Sequence, residues 1–297
     1  MLEVTAPTEL SPDPAPRRAG AWFRLEHALL ALPLAFLAIL FLYPLAYTVA
    51  SSFGGADPMA YYREVFADEF FRRAILRTLW ISALATLLAL ALAYPVAYEI
   101  TRVRTRVRVA IFVAVLLTFW ISVLIRAYSW VAILAPDGIV NDLATGVGLA
   151  SQPIEFQGRP WGLTIGLTHF LLPYMVLVLI PSLRAVDVDL IAAARSLGAT
   201  RRQTLTRVVL PMTAPGAAAA CLLTFILAIG SFVLPVILGG PAVPFVANLV
   251  GSEVGRLQNF EVAAAMGVTL TVIVIAIYML LLRLVDPTEI FGGDEGV

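Results

Sequence analysis

The segment Pro181–Gly216 reads PSLRAVDVDLIAAARSLGATRRQTLTRVVLPMTAPG and lies between two long apolar stretches. It is too long and too patterned for a plain connection. Asp187 is a good N-cap, because its carboxylate can accept from the unpaired amides of a first helical turn. After it Leu190, Ala193, Ala194 and Leu197 recur at helical spacing and share one face. Gly198 is the stop, since glycine takes the left-handed conformation at a helix end without a steric penalty. Thr200 with Gln203 forms a capping-box pattern, which predicts a second helix running toward Leu210-Pro211. The expected product is a helix–turn–helix lying at a membrane surface, too short to span and studded with arginine.

On either side of this segment the chain is apolar. Of its 297 residues 60% are hydrophobic and 13% are charged, and the mean hydropathy is +0.91. A soluble chain carries about 25% charged residues, so the deficit points to lipid as the solvent. Apolar runs long enough to cross a bilayer, which takes about 20 helical residues, lie at roughly 28–50, 79–99, 109–134, 161–181, 216–238 and 262–283. In hydrocarbon each backbone amide has to be satisfied within its own element, so each run is predicted to be a helix. The fold class is an all-α polytopic membrane protein with six transmembrane helices. Pro33, Pro44, Pro95, Pro173 and Pro235 fall in or near these runs, where each removes an amide donor and tends to kink its helix.

The first 25 residues are rich in Pro, Ala and Arg, with Pro7, Pro12, Pro14 and Pro16, and lack an apolar core followed by a small-residue cleavage site. They read as a disordered tail and not as a cleaved leader. The expected division is a tail at 1–25, a transmembrane domain at 26–285 containing the loop 182–215, and a tail at 286–297.

All twenty basic residues are arginine, and they orient the chain. An even number of spans puts both ends on one side. That side receives thirteen: Arg17, Arg18, Arg24, Arg102, Arg104, Arg106, Arg108, Arg184, Arg195, Arg201, Arg202, Arg207 and Arg283. The other receives six: Arg63, Arg72, Arg73, Arg77, Arg159 and Arg256, with Arg126 embedded. Both termini are therefore expected in the cytoplasm, and the Arg72–Arg77 cluster is assigned to an interfacial helix on the outer face.

Several chemistries are disfavoured. Net charge is zero, so no bulk attraction to nucleic acid is expected. Cys221 is the single cysteine, which rules out a disulfide within the chain and a cysteine-based metal site. His27 and His169 are too few and too far apart to build a metal site or a catalytic centre. No phosphate-cradling glycine-rich GK[ST] loop is present, so nucleotide chemistry is not expected here.

From Ala192 onward the loop resembles the EAA loop of ABC importer permeases: EAA, three residues, Gly, nine residues, then I-x-L-P. Ala192-Ala193-Ala194, Gly198, Val208 and Leu210-Pro211 stand at the matching places. Ala192 replaces the family's leading Glu and Val208 its Ile; the first change removes a carboxylate and whatever contact it makes. LATLLALALAYPVAY (Leu84–Tyr98) is similar to the second span of these permeases. FWISVLIRAYSWVAILAPDGIVNDL (Phe119–Leu143) and SFVLPVILGGP (Ser231–Pro241) resemble the spermidine/putrescine branch, and the likeness covers roughly 28–285.

The resemblance implies a type I ABC importer permease fold in a bacterial inner membrane, and a chain that is not an enzyme. It also implies partners: an ATPase dimer that uses ATP and Mg, a second homologous permease, and a periplasmic binding protein docking on the outer loops around 51–78, 135–160 and 239–261. This chain itself is expected to bind no cofactor. In the family the EAA loop docks on the ATPase, which assigns Ala192, Ala193, Ala194, Gly198, Leu210 and Pro211 to coupling. The stretch Val188–Gly198 then acts as a lever, although an amphipathic loop resting on lipid headgroups explains the same residues.

Span three ends in Trp120, Arg126, Tyr128 and Trp130. A guanidinium within a span costs about 3 kcal/mol near the centre and usually faces protein or water, so these four are candidates for a substrate pathway near the outer mouth. A snorkelling Arg in an aromatic belt is the alternative. Aromatic faces attract cations, and Asp137, Asp142 and Glu253 are acidic candidates near the same face.

Two rival functions remain. An ion-coupled secondary transporter usually carries titratable residues within its spans, whereas here Glu99 at a span end and His169 stand almost alone. An intramembrane enzyme needs a nucleophile beside a base, and only His169 near Ser122 or Ser231 is conceivable. Within the permease reading, ferric ion, an opine or a phosphonate are alternative cargoes.

Overall fold

Alanines at i, i+4 spacing organise the interior. In a computed structural model, residues 19–55 and 57–284 are described, with side chains from 31–55 and 57–280. Ala85, Ala89, Ala93 and Ala97 lie along one line of a long helix, each with no exposed surface. Against them lie Leu163, Leu167, Leu171, Met175 and Leu179 of a second helix, also fully buried. Lipid tails are as apolar as leucine, so burial alone does not join helices in a bilayer; small residues let backbones approach and dispersion holds them.

The helices are α1 (Ala19–Ser52), α2 (Ala60–Ala67), α3 (Glu69–Arg102), α4 (Thr105–Trp120), α5 (Val123–Ile133), α6 (Ile139–Gly146), α7 (Pro160–Arg184), α8 (Val188–Ser196), α9 (Arg201–Thr204), α10 (Leu210–Ile229), α11 (Val246–Ser252) and α12 (Phe260–Leu284). The chain divides into two units, residues 1–50 and 51–297. The first is dominated by α1, an apolar helix whose side chains from 31 to 47 are exposed. Residues 19–25 belong to α1 and are helical where a disordered tail was expected. From Ala19 to His27 there is no proline, and only Gly20 weakens the helix. Residues 1–18 and 285–297, which hold most of the two expected tails, lie outside the described residues.

In the second unit α3, α7 and α10 form the main bundle. Helix α10 runs opposite to α3: Thr213 near its start meets Tyr94 near the end of α3. Beyond the other end of α10, the carbonyl of Ala242 accepts from Arg77 Nη1 near the start of α3 at 2.7 Å. Gly216 of α10 lies so close to Ser182 of α7 that a β-carbon there would overlap it. Buried Thr224 and Thr269 satisfy their hydroxyls within their own helices, donating to Ala220 O and Ala265 O, both at 2.7 Å. A second cluster joins α2, the start of α3, α11 and α12 through Val65, Phe71, Ile75, Val246 and Met266.

Helices long and apolar enough to span are α1, α3, α7, the continuous run Arg201–Ile229 and α12. Span three differs from expectation. The run 109–134 is not one helix: α4 and α5 meet at 99°. Ser122 makes the break by accepting from Leu124 N at 3.3 Å, which caps a new helix inside an apolar run. Span five also shifts, from the expected 216–238 to Arg201–Ile229, with Gly230 at its C-cap. The segments Pro235–Ala242 and Val246–Leu257 meet at 85°. They return the chain to the end where α3 begins, since Val262 of α12 packs with Phe71. They form a hairpin and not an additional crossing.

The Arg72–Arg77 cluster is likewise not on a separate interfacial helix. It occupies the first turns of α3, and α2 is the short helix that precedes it. Arg72 donates to the C-terminal carbonyl of Phe66 at 2.6 Å, Arg73 pairs with Glu69, and Arg77 holds Ala242. These three arginines are thus engaged within the chain.

Candidate functional site

Two regions hold the residues singled out in the sequence. The first is the connection between α7 and α10. Asp187 accepts from Asp189 N at 2.8 Å and starts α8. Ile191 is the buried side chain of α8, at 3% exposure, and packs into the main core together with Val186 and Val209. The helix closes with paired capping bonds, Gly198 N to Arg195 O at 2.9 Å and Ala199 N to Ala194 O at 3.0 Å. Gly198 sits at φ +85° with no atom near where a β-carbon would point. The constraint there is conformation and not space.

With Ile191 turned inward, α8 shows its small and apolar residues to the outside. Ala192 and Ala193 are exposed, Ala194 is half-buried, and Leu197 is 90% exposed. The face Leu190–Ala193–Ala194–Leu197 therefore points largely away from the bundle and is available to another surface.

Beyond Gly198 the expected second surface helix is instead the first part of span five. The capping box forms, with Thr200 N to Gln203 Oε1 at 2.8 Å and Gln203 N to Thr200 Oγ1 at 3.3 Å. The helix then passes through a π-turn at Leu205–Val209 and continues as α10. Pro211 has no amide to donate into the preceding turn, and a widened turn before it accommodates that loss. Leu210 and Pro211 are thus exposed on the first turn of α10, apart from the α8 surface. The turn is anchored by Thr204 and Val209, at 1% and 0% exposure.

The second region is the elbow between α4 and α5. The four pathway residues do not gather. Trp120 and Tyr128 are exposed, at 88% and 63%, while Arg126 and Trp130 are half-buried. The guanidinium of Arg126 lies 5.1 Å from the ring centre of Phe170 on α7. Trp130 meets His169 edge-on at 5.5 Å, and Tyr174 stacks between Phe119 at 4.8 Å and Phe170 at 5.5 Å. Among the described residues Arg126 Nε and Nη1 are buried without a hydrogen-bond partner. This arrangement is an aromatic nest that holds a cation with two unmet donors. Phe119, Phe170 and Tyr174 were missed; Phe170 and Tyr174, four apart on α7, were the available signal.

Outside the elbow the chain is pinned by Asn141, which is 1% exposed. Its side chain donates to Ala135 O at 2.9 Å and Ile154 O at 3.1 Å, and accepts from Ile154 N at 2.7 Å. Gln157 Nε2 donates to Val131 O at 2.9 Å, and Gly158 N to Leu238 O at 2.9 Å. Of the acidic candidates, Asp137 and Asp142 flank the start of α6, whereas Glu253 belongs to the hairpin after α11. Among the described residues no group of three or more His, Cys, Asp or Glu side chains could hold a metal ion.

Comparison with known proteins fits this architecture. The spermidine/putrescine transport system permease protein PotB of Escherichia coli K12 is 29% identical over 233 residues, covering 76% of this chain and 85% of that protein. PotB of Haemophilus influenzae is 38% identical over 157 residues, 53% of this chain and 55% of its own. A chain of a bacterial alginate ABC transporter, solved with an alginate pentasaccharide-bound periplasmic protein, superposes with a TM-score of 0.77 at 22% identity, over 91% of this chain and 96% of that one. Residues 58–289 match the family described as binding-protein-dependent transport system inner membrane component. A multi-pass helical chain with a type I importer fold, it belongs to that family of inner-membrane transport permeases.

Proposed function

We propose that this chain is a translocating subunit of an ATP-driven polyamine importer. It works with an ATPase dimer, a second homologous permease and a periplasmic binding protein. The observation that carries the cargo is the match over 76% of the chain to a permease named for spermidine and putrescine. The fold alone is compatible with very different solutes, since a neighbour of the same architecture serves alginate.

In this reading the end bearing Arg102, Arg184, Arg195, Arg201, Arg202 and Arg207 faces the cytoplasm, and both termini lie on that side. The ATPase meets the exposed face of α8, at Ala192, Ala193, Ala194 and Gly198. Closure of the ATPases on ATP moves α8, and Ile191, Val186 and Val209 carry that motion into α7 and α10. Leu210 and Pro211 act from the first turn of α10, as part of the moving span and not of the docking face. Lacking the Glu usual at position 192, the interface depends on shape and apolar contact more than on a charge pair. ATP and Mg are used by the partner, and this chain contributes no catalytic residue.

The test is reconstitution of the complete transporter in liposomes with labelled spermidine. The expected result is uptake that needs ATP and binding protein and persists without any ion gradient. Uptake driven by a proton or sodium gradient alone would overturn the importer assignment. ATP-dependent uptake of another solute with none of spermidine or putrescine would overturn only the cargo.

A further inference from the structure

A cavity of about 520 Å³ opens where the last turns of α3 meet α8 and α9, and Arg102, Arg195, Arg201 and Arg202 line it. The one carboxylate in its wall is Glu99. Among the described residues the ion pairs are Arg63–Asp57, Arg73–Glu69 and Arg159–Glu155, so none of the four cavity arginines is paired with a described carboxylate. Arg102 rests 4.4 Å from the ring centre of Tyr98, which fixes its position without satisfying its charge. Four guanidinium groups around one small volume are suited to a phosphate, which each can grip by paired N–H bonds.

The floor of this cavity is apolar, and it leads onward. Tyr94 and Pro95 also line a second groove of about 450 Å³ between α3 and α10, whose walls include Leu87, Leu90, Leu210 and Ala214. From Pro95 to Leu87 the groove follows α3 for about 12 Å toward the middle of the span. A polar, cation-lined mouth at the end of a span thus adjoins a hydrocarbon-lined groove along it, with Tyr94 and Pro95 common to both walls. That is the shape and polarity of an anionic phospholipid: phosphate in the arginine cavity, acyl chain in the groove. A free phosphate ion would not use the groove, and an acidic protein loop would not enter it.

We propose that this surface is a specific site for one anionic phospholipid, its phosphate held by Arg102, Arg195, Arg201 and Arg202 and one acyl chain lying between α3 and α10. The site needs only that the chain sits in a bilayer and is independent of the cargo. A lipid held there touches α3, α8, α9 and α10 together, so its headgroup braces the surface helix against two spans.

The experiment is native mass spectrometry of the full chain with phosphatidylglycerol or phosphatidylcholine of identical acyl chains. Phosphatidylglycerol should be retained about tenfold better, a difference of about 1.4 kcal/mol. Arg201→Gln with Arg202→Gln should reduce it to the phosphatidylcholine level. Ala214→Phe, which fills the groove, should lower retention of both lipids, while Arg184→Gln with Arg207→Gln, on the same end but outside the cavity, should change neither. Equal retention of the two lipids by the unmodified chain, or an equal loss in the Arg184/Arg207 variant, overturns the proposal. Displacement of the lipid by millimolar glycerol phosphate also overturns it, leaving a site for a small free anion.

Discussion

The phenol of Tyr94 on α3 and the hydroxyl of Thr213 on α10 meet at 2.7 Å across 119 residues of sequence. Both side chains are buried, and Thr213 also reaches back to Val209 O at 2.9 Å. The bond ties span two to span five just above the α8–α9 connection. Hydrogen bonds between membrane helices average about 0.6 kcal/mol by double-mutant cycles. Tyr94→Phe and Thr213→Val should therefore show a coupling of about 0.6 kcal/mol in unfolding from micelles. Strictly additive losses would mean that the two hydroxyls do not act as a pair.

Gly198 lies at φ +85° in open space. A side chain there meets backbone strain of about 1–2 kcal/mol and no collision. Gly198→Val should loosen the end of α8 and reduce uptake strongly at normal expression. Gly198→Asn, which tolerates the left-handed conformation, should retain most of it. Gly198→Asp should insert normally yet stop uptake, because it sets a charge on the proposed docking face. Transport assays on membranes with matched permease levels decide the order; full activity of the Asp variant would refute the coupling role.

Arg126 carries two buried donors without partners among the described residues, and an unmet buried donor costs about 1–3 kcal/mol. Arg126→Met keeps the length and drops the donors. We expect its unfolding midpoint in detergent to rise while uptake in the assembled transporter falls at least about tenfold, or about 1.4 kcal/mol. A less stable variant would show that the guanidinium is satisfied in the isolated chain. Normal uptake would show that it plays no part in the pathway.

Asp57, in the loop before α2, is held below its ordinary value of 3.8, first by the amide of Met59 and then by Arg63. A depressed carboxyl stabilises the fold above its unfolded value and loses that contribution as pH falls through the folded value. Amide exchange at Met59 and Ala60 should therefore accelerate, relative to its intrinsic rate, as pH falls below about 3.8. In Asp57→Asn that acid-dependent step should vanish. The side chain is exposed, so the effect is local and global unfolding should not follow it.

Signals confined to neighbouring residues were legible in the sequence. The Asp187 cap, the Gly198 stop and the Thr200–Gln203 box each needs only a few adjacent residues, and each forms. The long apolar runs likewise identified the spans. What escaped depends on competition or distance. Ser122 caps α5 inside a run whose hydropathy is continuous, so composition alone hides the elbow. Leu210-Pro211 looks like a helix end, yet a π-turn carries the chain through it. The partners of Arg126 come mainly from α7, more than forty residues away, and only the packed bundle reveals them. Arg72 and Arg77 counted in the sequence only as charges, yet each donates to a backbone carbonyl, of Phe66 and Ala242, which composition does not reveal.

The close packing of α7 has a mechanical consequence. At one end Gly216 sits on Ser182; at the other Gly166 sits on Leu238, and Gly158 bonds the carbonyl of that same leucine. At each contact a glycine backbone takes a neighbouring side chain directly, Ser182 at one end and Leu238 at the other, which leaves little slack to take up a displacement. The two faces of the membrane are joined by a stiff rod, so a shift begun at one mouth must be matched at the opposite one.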